Sequence, residues 1–211
     1  MANKRLPRTK QGSAGTLRII GGQWRGRKLH FPPLEGLRPT GDRVRETLFN
    51  WISPYVVDAH CLDLFAGSGA LGLEAVSRGA ASATLIEMSA RACNALREHV
   101  STLCAGSRVN VYRADARHWL SRSPSKPFDL VFLDPPFATG LLADTLPLLE
   151  AGGWLSHDAL IYVESDREQT IALPPSWQPM RILDAGQVRC QLLRSDNVRA
   201  TNQGSLTSAD R

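Results

Sequence analysis

The chain has 211 residues, 43% of them hydrophobic, which suits one globular domain with a buried core and a small appendage. Cys61, Cys93, Cys104 and Cys190 form no CxxC pair, no regular framework and no zinc-ligand spacing with the five histidines, which argues against a disulfide scaffold or a metal site. The net charge of +5 is unevenly held: residues 1–45 carry 11 of the 25 Lys and Arg but two of the 20 acids, so that end is +9 and the remainder −4.

The basic start, "MANKRLPRTK", has no apolar segment behind it, and no run approaches membrane-spanning length, so a soluble, cytoplasmic protein is expected. Residues 1–16 read as a disordered basic tail. From Leu17, "LRIIGGQWRGRKLHFP" alternates basic residues with strand formers and predicts a hairpin that presents Arg25, Arg27, Lys28 and Trp24 to a polyanion. "LRPTGDRVRETLFNWI" then predicts a helix capped by Thr40 or Asp42. Its spacing turns Val44, Leu48, Trp51 and Ile52 inward and leaves Arg43, Arg45 and Glu46 on other faces. Residues 17–53 are thus an extension preceding the main domain, residues 54–194.

In that domain short apolar runs alternate with helical stretches: "CLDLF" (61–65), "ATLIE" (83–87), "VNVY" (109–112), "DLVFLD" (129–134) and "LIYVE" (160–164). Ser89 caps the helix between the second and third. Strand, helix, strand at this rhythm predicts an α/β, Rossmann-like, mostly parallel sheet with helices on both faces. Two more strands near Arg181–Leu183 and Val188–Leu193, including an antiparallel edge, bring the sheet to seven. Residues 195–211 are polar and aperiodic and read as a second disordered tail.

Ligands of such sheets sit beyond the carboxyl ends of the strands, where Asp63 to Gly69, Glu87, Asp115 and Asp134 all fall. In "DLFAGSGALG", Gly67, Gly69 and Gly72 have the GxGxxG spacing of a loop that lets backbone approach a ligand. Glu87, 20 residues after Gly67, stands where an acid holds ribose hydroxyls. The pattern fits a nicotinamide dinucleotide, and hence an oxidoreductase, or S-adenosylmethionine. Asp63 favours the second, because a carboxylate disfavours a pyrophosphate but welcomes an ammonium and a sulfonium; its other reading is a strand residue bonded to loop amides. Asp115, in "YRADARHWL", could accept from an adenine amino group or simply cap a helix. Met88 packs against adenine or belongs to the core.

"LVFLDPPFATG" ends a strand in an acid, two prolines and a ring. A nucleobase amine is a poor nucleophile until two acceptors hold its hydrogens. The Asp134 carboxylate and the carbonyl of Pro135 can do so, aimed in advance by the stiffness of Asp134-Pro135-Pro136. Phe137 offers a face on which an unstacked base can lie. The other reading is a proline turn with a core phenylalanine.

The glycine loop, the acid after "TLI" and "DPPF" together resemble a class I S-adenosylmethionine-dependent methyltransferase of the amino-methylating branch. More specifically, "RIIGGQWRGRKL", "GLRPTGDRVRETLFNWI", "CLDLFAGSGALGLEA", "FLDPPF" and "ALIYVE", in order from about Leu17 to Leu193, resemble the RsmD family of bacterial 16S ribosomal RNA (guanine-N2) methyltransferases. The resemblance implies methylation of a guanine N2 in small-subunit rRNA, in the 30S particle or an assembly intermediate. A sulfonium is already an activated leaving group, so the transfer requires no metal, and nothing in the sequence requires more than a monomer. The resemblance places Asp63, Phe65, Gly67, Gly69, Glu87, Met88, Asp115 and Ala116 around the donor, and Asp134, Pro135, Pro136 and Phe137 around the target guanine. Arg38, Thr40 and Arg43, which match the family's "RPT.DR" signature, are assigned to the substrate cleft, and with Arg25, Arg27 and Lys28 of the arm they make residues 17–53 an RNA-binding unit. Near Cys190 the chain lacks an aromatic common in the family. The competing chemistry is amino methylation of adenine or cytosine in DNA or another RNA. Protein-glutamine methylation, usually marked by NPPY, fits less well.

Overall fold

The computed structural model describes residues 15–31, 41–136 and 139–196. Arg38, Thr40, Phe137 and nearly all of both expected tails lie outside them. The hairpin forms as β1 (Gly15–Arg18) and β2 (Lys28–Phe31), paired antiparallel with Gly15 opposite Phe31 and Arg18 opposite Lys28. β1 thus opens two residues before the expected start of the extension. Alternation sends Leu17, Leu29 and Phe31 into the core and leaves Lys28 and His30 outside.

Trp24 departs from expectation. It is buried, with its backbone N–H donating to Ser77 Oγ at 2.9 Å and the Arg108 guanidinium 5.4 Å above its ring. The hairpin turn therefore presents Arg25, Arg27 and Lys28 outward, and uses its aromatic to dock inward.

Helix α1 (Asp42–Trp51) starts from Gly41 without a side-chain cap, and Asp42 spends its carboxylate on Arg45 and Arg18 instead. The inward face also differs from the predicted one: it is Arg45, Leu48, Phe49 and Ile52, with Val44 and Trp51 half-buried. Arg45 donates to Asp42 Oδ1 at 2.6 Å and to the Arg18 carbonyl at 3.0 Å, and lies 3.7 Å from Glu74 Oε2. A guanidinium inside is tolerated because it is paired. Glu74 belongs to α2 (Ala70–Ser77), every residue of which is buried. It accepts from the N–H groups of Ile20 and Gly21 at 2.8 and 2.7 Å and from Arg78 at 2.7 Å. Ser77 Oγ adds a bond to the Gly21 carbonyl at 2.6 Å. Hairpin, α1 and α2 thus share one buried polar knot set in apolar packing.

The main sheet contains β3 (His60–Asp63), β4 (Ser82–Glu87), β5 (Val109–Arg113), β6 (Phe128–Leu133), β7 (Leu155–Asp166), β8 (Trp177–Ala185) and β9 (Val188–Ser195), in the order β5-β4-β3-β6-β7-β9-β8. β3 to β7 pair in parallel, and β9 pairs antiparallel with both β7 and β8. β9 extends one residue into the expected tail. Phe132, Leu85 and Tyr162 face the side covered by the hairpin, α1, α2 and α3 (Ala90–Thr102). Val131, Leu133, Ile161 and Val163 face the side covered by α4 (Ala116–Leu120) and α5 (Leu141–Ala151). Both faces are apolar because helices cover both. Strand order reverses between β3 and β6, which opens a crevice above their carboxyl ends. Among the described residues, no helix is long and apolar enough to cross a membrane.

Candidate active site

The glycine loop runs from the end of β3 to the start of α2. Gly67 and Gly69 have φ of 51° and 82°, a backbone that disfavours side chains, and a Cβ at Gly69 would also press on Leu73 and Leu96 at 2.8 and 2.7 Å. Gly72 does a different job. A Cβ there would stand 2.2 Å from Leu85 Cδ2, so its bareness lets α2 lie close on the sheet.

Asp63, 2% exposed, accepts from the Gly72 N–H at 3.0 Å. Burial pushes its carboxyl up to about 7. Charges on Asp134 and Glu87 add to the rise, against the pull of the Gly72 and Phe65 amides. At the end of β4, Glu87 Oε2 accepts from the Gly67 N–H at 2.9 Å and Oε1 from the Ser89 N–H at 2.6 Å. The acid that reads as a ribose ligand therefore also pins the loop to β4. Ser89 caps α3 by accepting from Ala92. Met88 is 69% exposed, which overturns the core alternative for it.

Asp115 caps α4, accepting from the N–H groups of Arg117 and His118 at 2.9 and 3.2 Å. The Arg117 guanidinium bonds it as well and holds its carboxyl below the ordinary range. Beyond β6, Asp134 is half-buried, Pro135 buried and Pro136 exposed. The Thr139 hydroxyl donates to the Pro136 carbonyl at 2.7 Å.

One cavity of about 600 Å³ gathers these strand ends. Asp63, Phe65, Gly67, Glu87, Met88, Asp115, Ala116, Asp134, Pro135 and Pro136 line it; Gly69 shapes the loop from behind. Arg25, Arg27, Lys28 and Arg43 do not line it and are exposed elsewhere. Among the lining residues not singled out from the sequence, three are polar: Ser68, Arg117, which ties Asp115 to Asp144 of α5, and Thr139. Arg117 could have been found, since it stands two residues after an acid that caps a helix.

A parallel sheet in this strand order, closed by an antiparallel hairpin and carrying a glycine loop at its switch point, defines a class I methyltransferase. Solved structures agree: a putative methyltransferase from Escherichia coli is 51% identical with a TM-score of 0.79, covering 86% of this chain and 99% of that one. Ribosomal RNA small subunit methyltransferase D from Escherichia coli (strain K12) is 51% identical over 192 residues, 90% of this chain and 96% of that protein. The protein of the same name from Haemophilus influenzae (strain ATCC 51907 / DSM 11121 / KW20 / Rd) is 43% identical over 183 residues, 86% and 95% of the two chains. The family described as "Conserved hypothetical protein 95" matches residues 17–194, and this chain belongs to it.

Proposed function

We propose that the protein transfers a methyl group from S-adenosylmethionine to the exocyclic N2 of a guanine in 16S rRNA, acting in the cytoplasm as a monomer on the small subunit or an assembly intermediate of it. The observation that carries the reading is a single cavity, lined on one side by a buried carboxylate, a glycine loop and Glu87, and on the other by Asp134-Pro135-Pro136. The names of the relatives support the rRNA substrate.

The residues fit the donor. A cavity of this volume holds a nucleoside with an amino-acid arm. A carboxylate raised to about 7 by burial gains most from a cationic ligand, and a pyrophosphate would make its position worse. When bound, S-adenosylmethionine supplies a methyl group on a sulfonium, already an activated leaving group. Asp63 would attract the ammonium end, Glu87 the ribose, and Met88 and the Asp115–Ala116 turn the adenine. Asp134 and the Pro135 carbonyl would take the two amine hydrogens and free the nitrogen lone pair, with Asp134 dispersing the positive charge that develops there. Residues 17–53 form the RNA-binding unit in this reading. Arg25, Arg27, Lys28 and Arg43, with Arg38 and Thr40 beyond the described residues, would grip phosphates, and Phe137 would stack on the base.

Mass-spectrometric mapping of rRNA from a strain lacking the protein should find one N2-methylguanine missing from 16S rRNA. A complete set of marks would overturn the reading.

A further inference from the structure

Glu164 and Tyr162, on β7, have no part in the donor cavity. β6 and β7 run parallel with Phe132 opposite Tyr162 and, as the last pair, Leu133 opposite Val163; continuing that register one residue past the end of β6 would set Asp134 beside Glu164. Phe132 and Tyr162 belong to one buried cluster, so the alternation of side chains returns Asp134 and Glu164 to that same face. Glu164 is 4% exposed, and the Tyr162 hydroxyl donates to its Oε1 at 2.8 Å, which fixes the carboxylate's orientation. Cys190 sits opposite Glu164 on β9. Burial pushes its thiol up to about 12 against the hydrogen bond with Tyr162, and the charges of Glu164, Asp134 and Asp184 add to the rise. Glu164 also lines a small recess with Pro135 and Pro136, two residues that the donor cavity shares.

A buried carboxylate beside the amine-holding pair has a specific chemical use. Guanine carries an N1–H next to its 2-amino group, donor beside donor. Adenine and cytosine carry a bare ring nitrogen next to their amino group, acceptor beside donor. The acceptors at Asp134 and Pro135 suit all three bases. A further acceptor one strand over suits guanine alone, because a carboxylate facing a ring lone pair leaves both without a proton.

We propose that Glu164, oriented by Tyr162, determines base specificity by accepting the guanine N1–H while Asp134 and the Pro135 carbonyl hold the 2-amino group. The proposal rests on the guanine-N2 reading above and gives it a structural cause.

The test replaces the methylated guanine by 2-aminopurine, which keeps the 2-amino group and has a bare nitrogen at N1, in reconstituted small subunits. Methyl transfer from labelled S-adenosylmethionine is followed with guanine and 2-aminopurine particles in parallel. The wild-type protein should prefer guanine by roughly 10- to 100-fold, the discrimination of one well-placed base contact. Glu164→Gln, whose amide can donate to a bare nitrogen, should slow the guanine reaction by a similar factor and bring the ratio towards one. Its affinity for S-adenosylhomocysteine, measured by calorimetry, should stay within about twofold, since the site is separate from the donor loop.

Equal wild-type rates on the two particles would overturn the proposal, and that result depends on no variant. So would a Glu164→Gln protein that binds S-adenosylhomocysteine normally yet keeps the full preference. If the wild-type protein makes no N2-methylguanine in unmodified particles, the guanine reading fails first and the role of Glu164 falls with it.

Discussion

Replacing Asp63 with asparagine should make the free protein more stable and its donor site weaker. Burial above all, with the charges of Asp134 and Glu87, lifts this carboxyl from 3.8 to about 7 in the folded chain. With the folded value above the unfolded one, the stability that goes with the protonated form is whole below pH 3.8 and drains away as pH climbs through about 7. The loss amounts to about 4 kcal/mol at pH 8, with roughly half of it present at pH 5.5. An asparagine oxygen can still accept the Gly72 N–H without carrying charge. Allowing for an imperfectly placed amide, the variant should gain about 2–4 kcal/mol at pH 8, or roughly 5–15 °C in melting temperature. The gain should shrink to near zero by about pH 4. Melting both proteins at about pH 4, 5.5 and 8 reads the effect directly. In parallel, affinity for S-adenosylhomocysteine should fall about 10- to 100-fold in the variant, the worth of one charge-assisted hydrogen bond. Wild-type affinity should itself weaken as pH drops below about 7 and the carboxyl takes up its proton. A variant that melts below the wild type at pH 8, or differs by the same margin at every pH, would refute the claim that burial strains this carboxylate.

Asp134→Ala should lower the methyl-transfer rate on small subunits by about two to three orders of magnitude with little change in S-adenosylhomocysteine affinity, because in the proposed reaction Asp134 supplies an acceptor to the amine in the transition state. Neutralising Arg25, Arg27 and Lys28 together should flatten the dependence of RNA affinity on salt by about 2–3 units of log–log slope, measured by titration at several salt concentrations. Arg45→Ala should destabilise the fold by about 3–5 kcal/mol in chemical denaturation, since it opens a buried ion pair, whereas Arg43→Ala should stay within about 0.5 kcal/mol. Gly72→Ala should cost about 1–3 kcal/mol, because the new methyl meets Leu85 and α2 must lift from the sheet.

The strands were legible because parallel strands covered on both faces are short, nearly unbroken apolar runs, as in "LVFL" and "LIYV". Their lengths were less so: β7 begins at Leu155, ahead of the apolar run, through "LSHDA", where Asp158 takes a φ of 58° and pairing with β6 is irregular. The face of α1 was misread because hydrophobic spacing cannot register a buried arginine, whose partner Glu74 lies 29 residues on. Trp24 misled for a related reason. Arg25, Arg27 and Lys28 follow it in sequence, but the groups that receive it, Ser77 and Arg108, come from distant segments. In the candidate site, Asp63, Glu87 and Asp134 were legible as cavity-lining residues because the crevice of such a sheet opens beyond its strand ends. Thr139 was not, since its bond to the Pro136 carbonyl is a product of folding, and neither was the packing of Glu164 on the strand beside β6.

The way the hairpin is mounted has a consequence for how this protein can diverge. Glu74 holds it through the main-chain N–H groups of Ile20 and Gly21, which any residue except proline supplies. The firm demands are local: a glycine at position 22, where a Cβ would stand 1.8 Å from the Ser77 carbonyl oxygen, a glycine at position 26, where φ is 82°, room beside the Arg78 guanidinium at position 21, and a bulky apolar anchor at Trp24. Arg25, Arg27 and Lys28 project from this mount and make none of its bonds. Substitution can therefore redraw the outward face position by position while the attachment to α2 is inherited intact. A lineage, or a designer, could retune the contact surface without first re-solving how it is fastened.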